Sequence, residues 1–542
     1  MQSIHKYLLL LALTGIIASC KKSIEDYPQE RWEEDVVFDP RDSVGNYARQ
    51  FLMNVYSYLP NHYAGVNDNA LIEAGTDDAV YRYPGSTIES FVNGRWTSWN
   101  MPDNVWSKYY TAIRRANTFL AKIDIVPLKT AGMKDQWKAE ARFLRAMSYF
   151  ELLKRWGGVP LLGDAFFDLT SNVDFARNSY DECVQYIVAE CDAIKDKLLK
   201  ENTIADGDFG RITRSAALAL KARTLLYAAS ALNNTSNNAT KWQAAAQASK
   251  DIIDLGYHAL NSNFTTLFTT RRSTEVILGF QAGTNNTLET NHGPIGYSGT
   301  GAGSGLMNPT QSLVDAFPMK NGKAITESGS GYSDQNPYAN RDPRLAATIL
   351  YNTATWLNRP VELYTGGRDY DGSQTGYYMR KFLGAFTTST GYSATNHNAM
   401  IFRYAEVLLN YAEALNEANA TAPEEAYKAI ESVRQRAGLT PFAIARGMSQ
   451  ADLRKLIRNE RRIELAFEDH RFWDIRRWNI GAETINKTVL SGVAVTKNGS
   501  TYTYAYNRPV LTTAAWDDKM YRYPIPVAEI EKSKLLIQNK GW

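Results

Sequence analysis

Through most of the chain, apolar residues recur every three or four positions, in blocks separated by polar or glycine-rich stretches. Between Asp103 and Ile123, the residues Trp106, Tyr109, Tyr110, Ile113, Ala116 and Leu120 share one side of a helix. Lys134–Trp156 repeats the spacing with Phe143, Met147, Phe150 and Leu153. It stops at Gly157-Gly158, with Pro160 just beyond, as helix C-termini do. The same pattern predicts helices over Ser179–Lys200, Thr213–Ala231, Trp242–Leu255, Phe402–Asn419, Glu424–Ala437 and Gln450–Trp473. The stretch TRSAALALKARTLLYAA (213–229) is rich in alanine, which lets a neighbouring helix come close.

Helical hairpins with small residues at alternating turns resemble tetratricopeptide repeats, as with Ala405, Leu409, Ala412 and Leu415. Their spacing is irregular and does not hold the ~34-residue period of that repeat. The expected fold is mainly α: a tetratricopeptide-like scaffold of helical hairpins with long irregular loops and a few short strands. Residues 61–102, 281–340 and 352–400 break the helical pattern and are rich in Gly, Asn, Ser, Thr and Tyr, with GYSGTGAGSG (296–305) the extreme case. Long irregular segments in a compact protein are functional or disordered, and aromatic residues within them favour function.

The N-terminus bears on the compartment. Lys6 precedes an apolar run from Tyr7 to Ile17, then Ala18, Ser19 and Cys20. That run falls short of the ~20 residues of a spanning helix and reads as a cleaved secretory signal over residues 1–19. Ile17-Ala18-Ser19-Cys20 resembles a bacterial lipobox, so Cys20 is the expected lipidation site and the mature N-terminus. Several acyl chains on one cysteine anchor a protein firmly without spanning the bilayer. Residues 20–43 are polar, carry Pro28 and Pro40, and read as a tether; residues 44–542 are expected to form one domain.

Net charge is only +3, so no basic face for nucleic acid is expected. Cys183 and Cys191 fall on one predicted helix, ~12 Å apart along its axis. A disulfide needs Cα atoms within ~7 Å, so two buried thiols are expected. No HExxH, GxSxG or GxxxxGK[ST] motif occurs, and the histidines are scattered without ligand spacing; no metal and no cofactor are expected. The charged block Arg458–Arg477 carries Glu464, Glu468, Asp469 and Asp474. On a helix, Arg461–Glu464, Glu468–Arg471 and Asp474–Arg477 stand three apart and can pair, which favours ion-pair locking over acid–base catalysis.

Six stretches then carry a family resemblance: EARFLRAMSYFELLKRWGGVPLL (140–162), GRITRSAALALKARTLLYAA (210–229), RDPRL (341–345), FRYAEVLLNYAEALNE (402–417), RNERRIELAFEDHRFWDIRRW (458–478) and YPIPVAEIEKSKLLIQNKGW (523–542). Together they resemble the SusD/RagB family of outer-membrane nutrient-binding lipoproteins. The resemblance implies four tetratricopeptide-like helix pairs on one side and an irregular ligand-binding face on the other. It also implies a non-catalytic role at the cell surface, in partnership with a TonB-dependent transporter of the SusC type. A surface glycosidase is the alternative, because a glycosidase carboxylate pair lies far apart in the chain. A repeat scaffold for a protein or peptide is a further one.

An oligosaccharide ligand needs aromatic plates for the apolar faces of its rings and planar polar groups for its hydroxyls. Trp106, Trp137, Trp156, Trp242, Trp473 and Trp478 lie in or beside helices and are expected in the core. Trp96 and Trp99 instead stand in NGRWTSWNMPDN, with Asn100 alongside and Asp77, Asp78, Tyr81 and Arg82 upstream. In the family, the site draws on this pre-repeat region and on loops of the later insertion. Trp96, Trp99 and Asn100 are therefore the leading candidates, followed by Asp77, Asp78, Tyr81 and Arg82, with Tyr297 and Trp356 from the later loops.

Overall fold

The computed structural model describes residues 34–166, 174–486, 490–511 and 514–542. The predicted signal, Cys20 and the first part of the tether lie outside the described residues. The longer helices among the described residues run α1 (Asn46–Tyr56), α2 (Trp106–Lys122), α3 (Met133–Trp156), α4 (Tyr180–Ile194), α5 (Arg214–Ala229), α6 (Ala239–Ile253), α7 (Tyr404–Ala418), α8 (Glu424–Ala437), α9 (Gln450–Glu464) and α10 (His470–Arg477). The chain is mainly helical, as its periodicity predicts.

Local chemistry sets the ends. Ser179 Oγ accepts from the Glu182 N–H while the Glu182 carboxylate accepts from the Ser179 N–H, a capping box that starts α4 one residue inside the predicted boundary. Thr213, Asn238 and Ser449 cap α5, α6 and α9 in the same sense. Gly438, at φ +85°, closes α8.

Successive helices pack on one another from α2 through α7, and α7 also receives α8 and α9. The small residues of α5 make this possible. Ala216, Ala217, Ala219, Ala222, Ala228 and Ala229 are all buried, and both α4 and α6 lie against the helix. The six tryptophans assigned to helices are all in the core. Cys183 and Cys191 are buried free thiols, and burial raises the Cys183 thiol to about 11.

Between α6 and α7 the chain leaves the scaffold for some 150 residues and is tied where it leaves and returns. Strand β2 (Val276–Gln281) pairs antiparallel with β8 (Asn398–Arg403), Val276 opposite Arg403 and Gln281 opposite Asn398. Phe402 and Arg403 are thus strand, where the periodicity predicts helix. The strands between are short: β3 (Met307–Pro309), β4 (Ile349–Leu350), β5 (Thr355–Trp356), β6 (Arg359–Pro360) and β7 (Tyr378–Met379). Strand β1 (Ala79–Tyr81), from the region before the repeats, pairs with β3. A hairpin of β9 (Leu490–Asn498) and β10 (Thr501–Leu511) turns at Gly499, φ +63°.

The helix predicted over Gln450–Trp473 divides. Its α9 part ends at Glu464, and Phe467 and Asp469 take positive φ (65° and 60°) before α10 begins. This break points Glu464 and Glu468 into the interior, where they meet cations from distant segments. Arg403 binds Glu275 (2.8 Å), Glu464 (2.7 Å) and Glu468 (2.6 Å). Arg344, from RDPRL, binds Asp342 (2.7 Å), Glu460 (2.7 Å) and Glu464 (2.9 Å). Lys381 reaches Glu468 at 2.7 Å, and Arg436 joins Glu275 at 2.9 Å. Burial works against the Glu464 charge, but Arg436, Arg403 and Arg344 outweigh it and hold the carboxyl far below its usual range. Of the three pairs expected within the block, only Asp474–Arg477 (2.7 Å) forms; Arg461 binds Asp474, and Arg471 binds Asp77.

Candidate functional site

Pairing of β1 with β3 places Tyr81 opposite Met307 and brings the pre-repeat loop against the glycine-rich loop of the insertion. Four further hydrogen bonds fix the join. The Arg82 N–H donates to Leu306 O (2.9 Å), and Arg82 Nη1 donates to Ser304 O (2.6 Å). Gln374 Nε2 donates to both Tyr81 O (2.7 Å) and Arg82 O (2.6 Å). Segments some 220 and 290 residues apart in sequence are thus held at one edge.

Beyond β1 the chain turns at Pro84-Gly85. Gly85 takes φ +79° with open space on its Cβ side, so backbone conformation alone asks for glycine there. Its N–H donates to Glu89 Oε2 (2.9 Å). This turn presents Tyr83, which is 52% exposed, with the Arg82 guanidinium 5.2 Å from its ring centre. Tyr83 has no place among the sequence-derived candidates; its signal is the Pro-Gly turn that follows it. Across the join, glycines let the insertion loop fold tightly: a Cβ on Gly303 would meet Gly293 O at 2.1 Å, and one on Gly305 the Tyr378 ring at 2.5 Å.

The structure separates the other candidates. Trp99 is 75% exposed, on a loop stiffened by Asn100, whose Oδ1 accepts from the Thr97 N–H (2.7 Å) and Thr97 Oγ1 (2.6 Å). That bonding spends the Asn100 Oδ1 within the loop, so this exposed side chain braces Trp99. Trp96 is a correction: it is 1% exposed and packs edge-on against Phe91 and Tyr523 and tilted against Trp542, so its faces are covered. Trp356 is another, fully buried, with Nε1 donating to the Tyr392 hydroxyl (3.4 Å). Both sit where apolar area was needed for the core. Tyr297 is half-buried. Its hydroxyl donates to Trp356 O (2.6 Å), and the Arg359 guanidinium lies 3.7 Å from its ring centre, held by Asp369 at 2.7 Å. One face of that ring is already taken.

Asp77 and Asp78 are also corrected, from surface ligands to buried ion-pair partners. Asp77 accepts from Arg471 (2.8 Å) and Arg462 (2.9 Å), and Asp78 from Arg462 Nε (2.7 Å). Burial would raise the Asp77 carboxyl, but Arg462 and Arg471 pull it down to about 2. Asp78 moves the other way, because burial and the neighbouring Asp77 charge outweigh Arg462. The pair fastens β1 to α9 and α10. Tyr81 is buried too, its hydroxyl donating to Asp68 O (2.8 Å). What remains open among the candidates and their neighbours is the Tyr83 ring, with the Arg82 guanidinium beside it, and the Trp99 ring.

Among the described residues, no three His, Cys, Asp or Glu side chains gather as a metal-ligand set. No helix there is long and apolar enough to cross a membrane.

Comparison with known proteins gives the helical scaffold and its insertion a lineage. A family profile described as "Starch-binding associating with outer membrane" matches residues 46–226, and one described as "SusD family" matches residues 274–542. The chain belongs to the SusD/RagB family. Among SusD/RagB relatives, SusD-like protein P2 of Formosa agariphila is 29% identical over 398 residues, covering 70% of this chain and 72% of its own. The crystal structure of a SusD-like protein from Bacteroides fragilis superposes with a TM-score of 0.79 at 28% identity, over 94% of this chain and 99% of that one. A SusD-like carbohydrate binding protein from Bacteroides fragilis gives 0.74 at 26%, over 91% and 99%. The matched residues thus include both the scaffold and the loops that carry Arg82, Tyr83 and Trp99.

Proposed function

We propose that this chain is a lipid-anchored, surface-exposed outer-membrane protein that holds a glycan without cleaving it and passes it to a SusC-type TonB-dependent transporter. Residues 44–542 act as one unit, with the ligand loops carried as insertions on the helical frame. The observation that carries the reading is the join at Arg82–Tyr83. There an open ring, guanidinium donors and the glycine-rich loop from the insertion meet on one rigid edge. The carbohydrate-binding description of a structural relative, the outer-membrane description of the matched profile and the lipobox-like start support the same reading.

Sugar rings stack on Tyr83 and on Trp99, and Arg82 with backbone carbonyls takes the hydroxyls. Stacking of a flat ring on an aromatic is worth ~1–3 kcal/mol. Two platforms with a few solvated hydrogen bonds give about −4 to −6 kcal/mol, a Kd from roughly millimolar to tens of micromolar. Such weak capture suits a protein that must release its cargo.

The test is titration of the purified chain with oligosaccharide pools, with the products separated afterwards. Binding with intact sugars recovered supports capture, whereas shortened sugars move the assignment to a glycosidase. Affinity capture from solubilised outer membranes addresses the partner: a large barrel transporter supports delivery, and soluble proteins alone favour a peptide or protein scaffold.

A further inference from the structure

Every carboxylate of the charged block except one is paired. Glu460 meets Arg344, Glu464 meets Arg344 and Arg403, Glu468 meets Lys381 and Arg403, and Asp474 meets Arg461 and Arg477. The Asp469 side chain has no hydrogen bond or ion pair among the described residues. It precedes α10 but makes no cap bond to it, and it takes a left-handed φ of 60° that non-glycine residues rarely adopt. Neither helix capping nor ion pairing accounts for it.

The side chain borders a cavity of about 290 Å³, apart from the Arg82–Tyr83 surface, between the pre-repeat segment and the start of the helical series. Its polar lining includes His62, Asp103, Lys108, Glu151 and Arg155, with the neutral groups of Ser57, Asn61 and Tyr109. The cations beside Asp469 are already engaged. Arg155 binds Asp103 (2.7 Å) and Glu151 (2.6 Å), and Lys154 binds Glu151 (2.7 Å). Lys108, on the exposed side, makes no ion pair among the described residues. His62 is 9% exposed, and its Nε2 has no hydrogen-bond partner. Burial depresses this imidazole to about 4, so it is neutral at ordinary pH and adds no positive charge. Of the three carboxylates on the wall, Asp103 and Glu151 are paired and Asp469 is the one that no cation pairs.

We propose that this cavity is a binding site for a small primary amine, such as an amino sugar, whose ammonium group pairs with Asp469. An unpaired carboxylate in a half-buried site is costly, and an ammonium ion that enters both neutralises it and donates to it. The volume admits a molecule of about one sugar ring, below the ~300–1,000 Å³ of drug-sized sites.

The experiment is calorimetric titration of the folded protein with glucosamine and methylammonium, with glucose and N-acetylglucosamine as uncharged counterparts. Glucosamine is expected to bind at least tenfold more tightly than either neutral sugar, a difference of about 1.4 kcal/mol or more. D469N is expected to abolish that preference with no loss of melting temperature, since no native pair is broken. Equal affinity for the three sugars, no amine binding up to tens of millimolar, or an unchanged preference in D469N would each overturn the proposal. The comparison of sugars needs no variant, so it stands even if D469N folds poorly. Y83A is expected to leave amine binding intact, which separates this site from the glycan surface.

Discussion

Trp96 and Trp99 show how little a side chain's type says about its use. Three residues apart in one loop, one is sealed among Phe91, Tyr523 and Trp542 and the other stands open. W96A is expected to cost ~3–5 kcal/mol of stability through the cavity it leaves, while W99A stays within about 0.5 kcal/mol. Denaturant titration reads the first effect. Oligosaccharide retention reads the second, with the W99A/Y83A double variant losing the ligand at an unchanged unfolding midpoint. A loss of retention in W96A alone, at full stability, would contradict this division. Cysteine chemistry is settled at the same scale: Cys183, buried and raised to about 11, is expected to react with thiol reagents only after unfolding.

At the scale of elements, the buried ions of α9 and of the break after it join parts that periodicity alone would keep separate. Glu464 ties β8 through Arg403 and the insertion through Arg344, with Arg436 of α8 alongside. Removing one partner of a buried pair leaves a stranded charge, at ~3–5 kcal/mol. R403M is accordingly expected to lower the unfolding free energy by that amount, whereas exchange of Lys250 at its exposed pair with Asp254 should change it by less than about 1 kcal/mol. The Pro84-Gly85 turn makes a smaller but local contribution. G85V puts a β-branched residue at φ +79°, and the expected result is weakened glycan binding with little global destabilisation, because Tyr83 loses its fixed presentation.

For the whole molecule, the buried ions predict a pH response. Burial opposes the charged forms of Glu151 and Glu413, but Lys154 and Arg155 around the first, and Arg477 beside the second, hold both at about 2 against an ordinary 4.5. Their pKa is lower folded than unfolded, so the stability they lend is present above pH 4.5 and is lost as pH falls toward 2. Asp469 has the opposite sign. Burial lifts it to about 7 from 3.8, so its contribution weakens stability as pH rises across that interval. Thermal melts should show a steep loss below pH 4.5, blunted in E413Q, which no longer titrates, and a shallow decline toward pH 7 that D469N removes. A flat profile from neutrality to pH 3 would contradict the acid limb.

Periodicity alone reached the helical frame, because a helix buries its stripe through contacts three and four residues apart, and that spacing is written locally. Glu424–Ala437 matches its predicted bounds, and Met133–Trp156 differs from its own by one residue. The role of the alanines on α5 was equally legible. Long-range partners decided the rest. Phe402 and Arg403 became strand because β2 was there to pair with them, and the block after Gln450 broke because its carboxylates found cations beyond the helix. The candidate site follows the same division. The sequence singled out the loops and named Arg82 and Trp99, but burial of Trp96 and Trp356, capture of Asp77 by Arg462 and Arg471, and exposure of Tyr83 were settled only when segments hundreds of residues apart came into contact. Burial and ion pairing are properties of neighbours in space, and the order of residues along the chain does not name those neighbours.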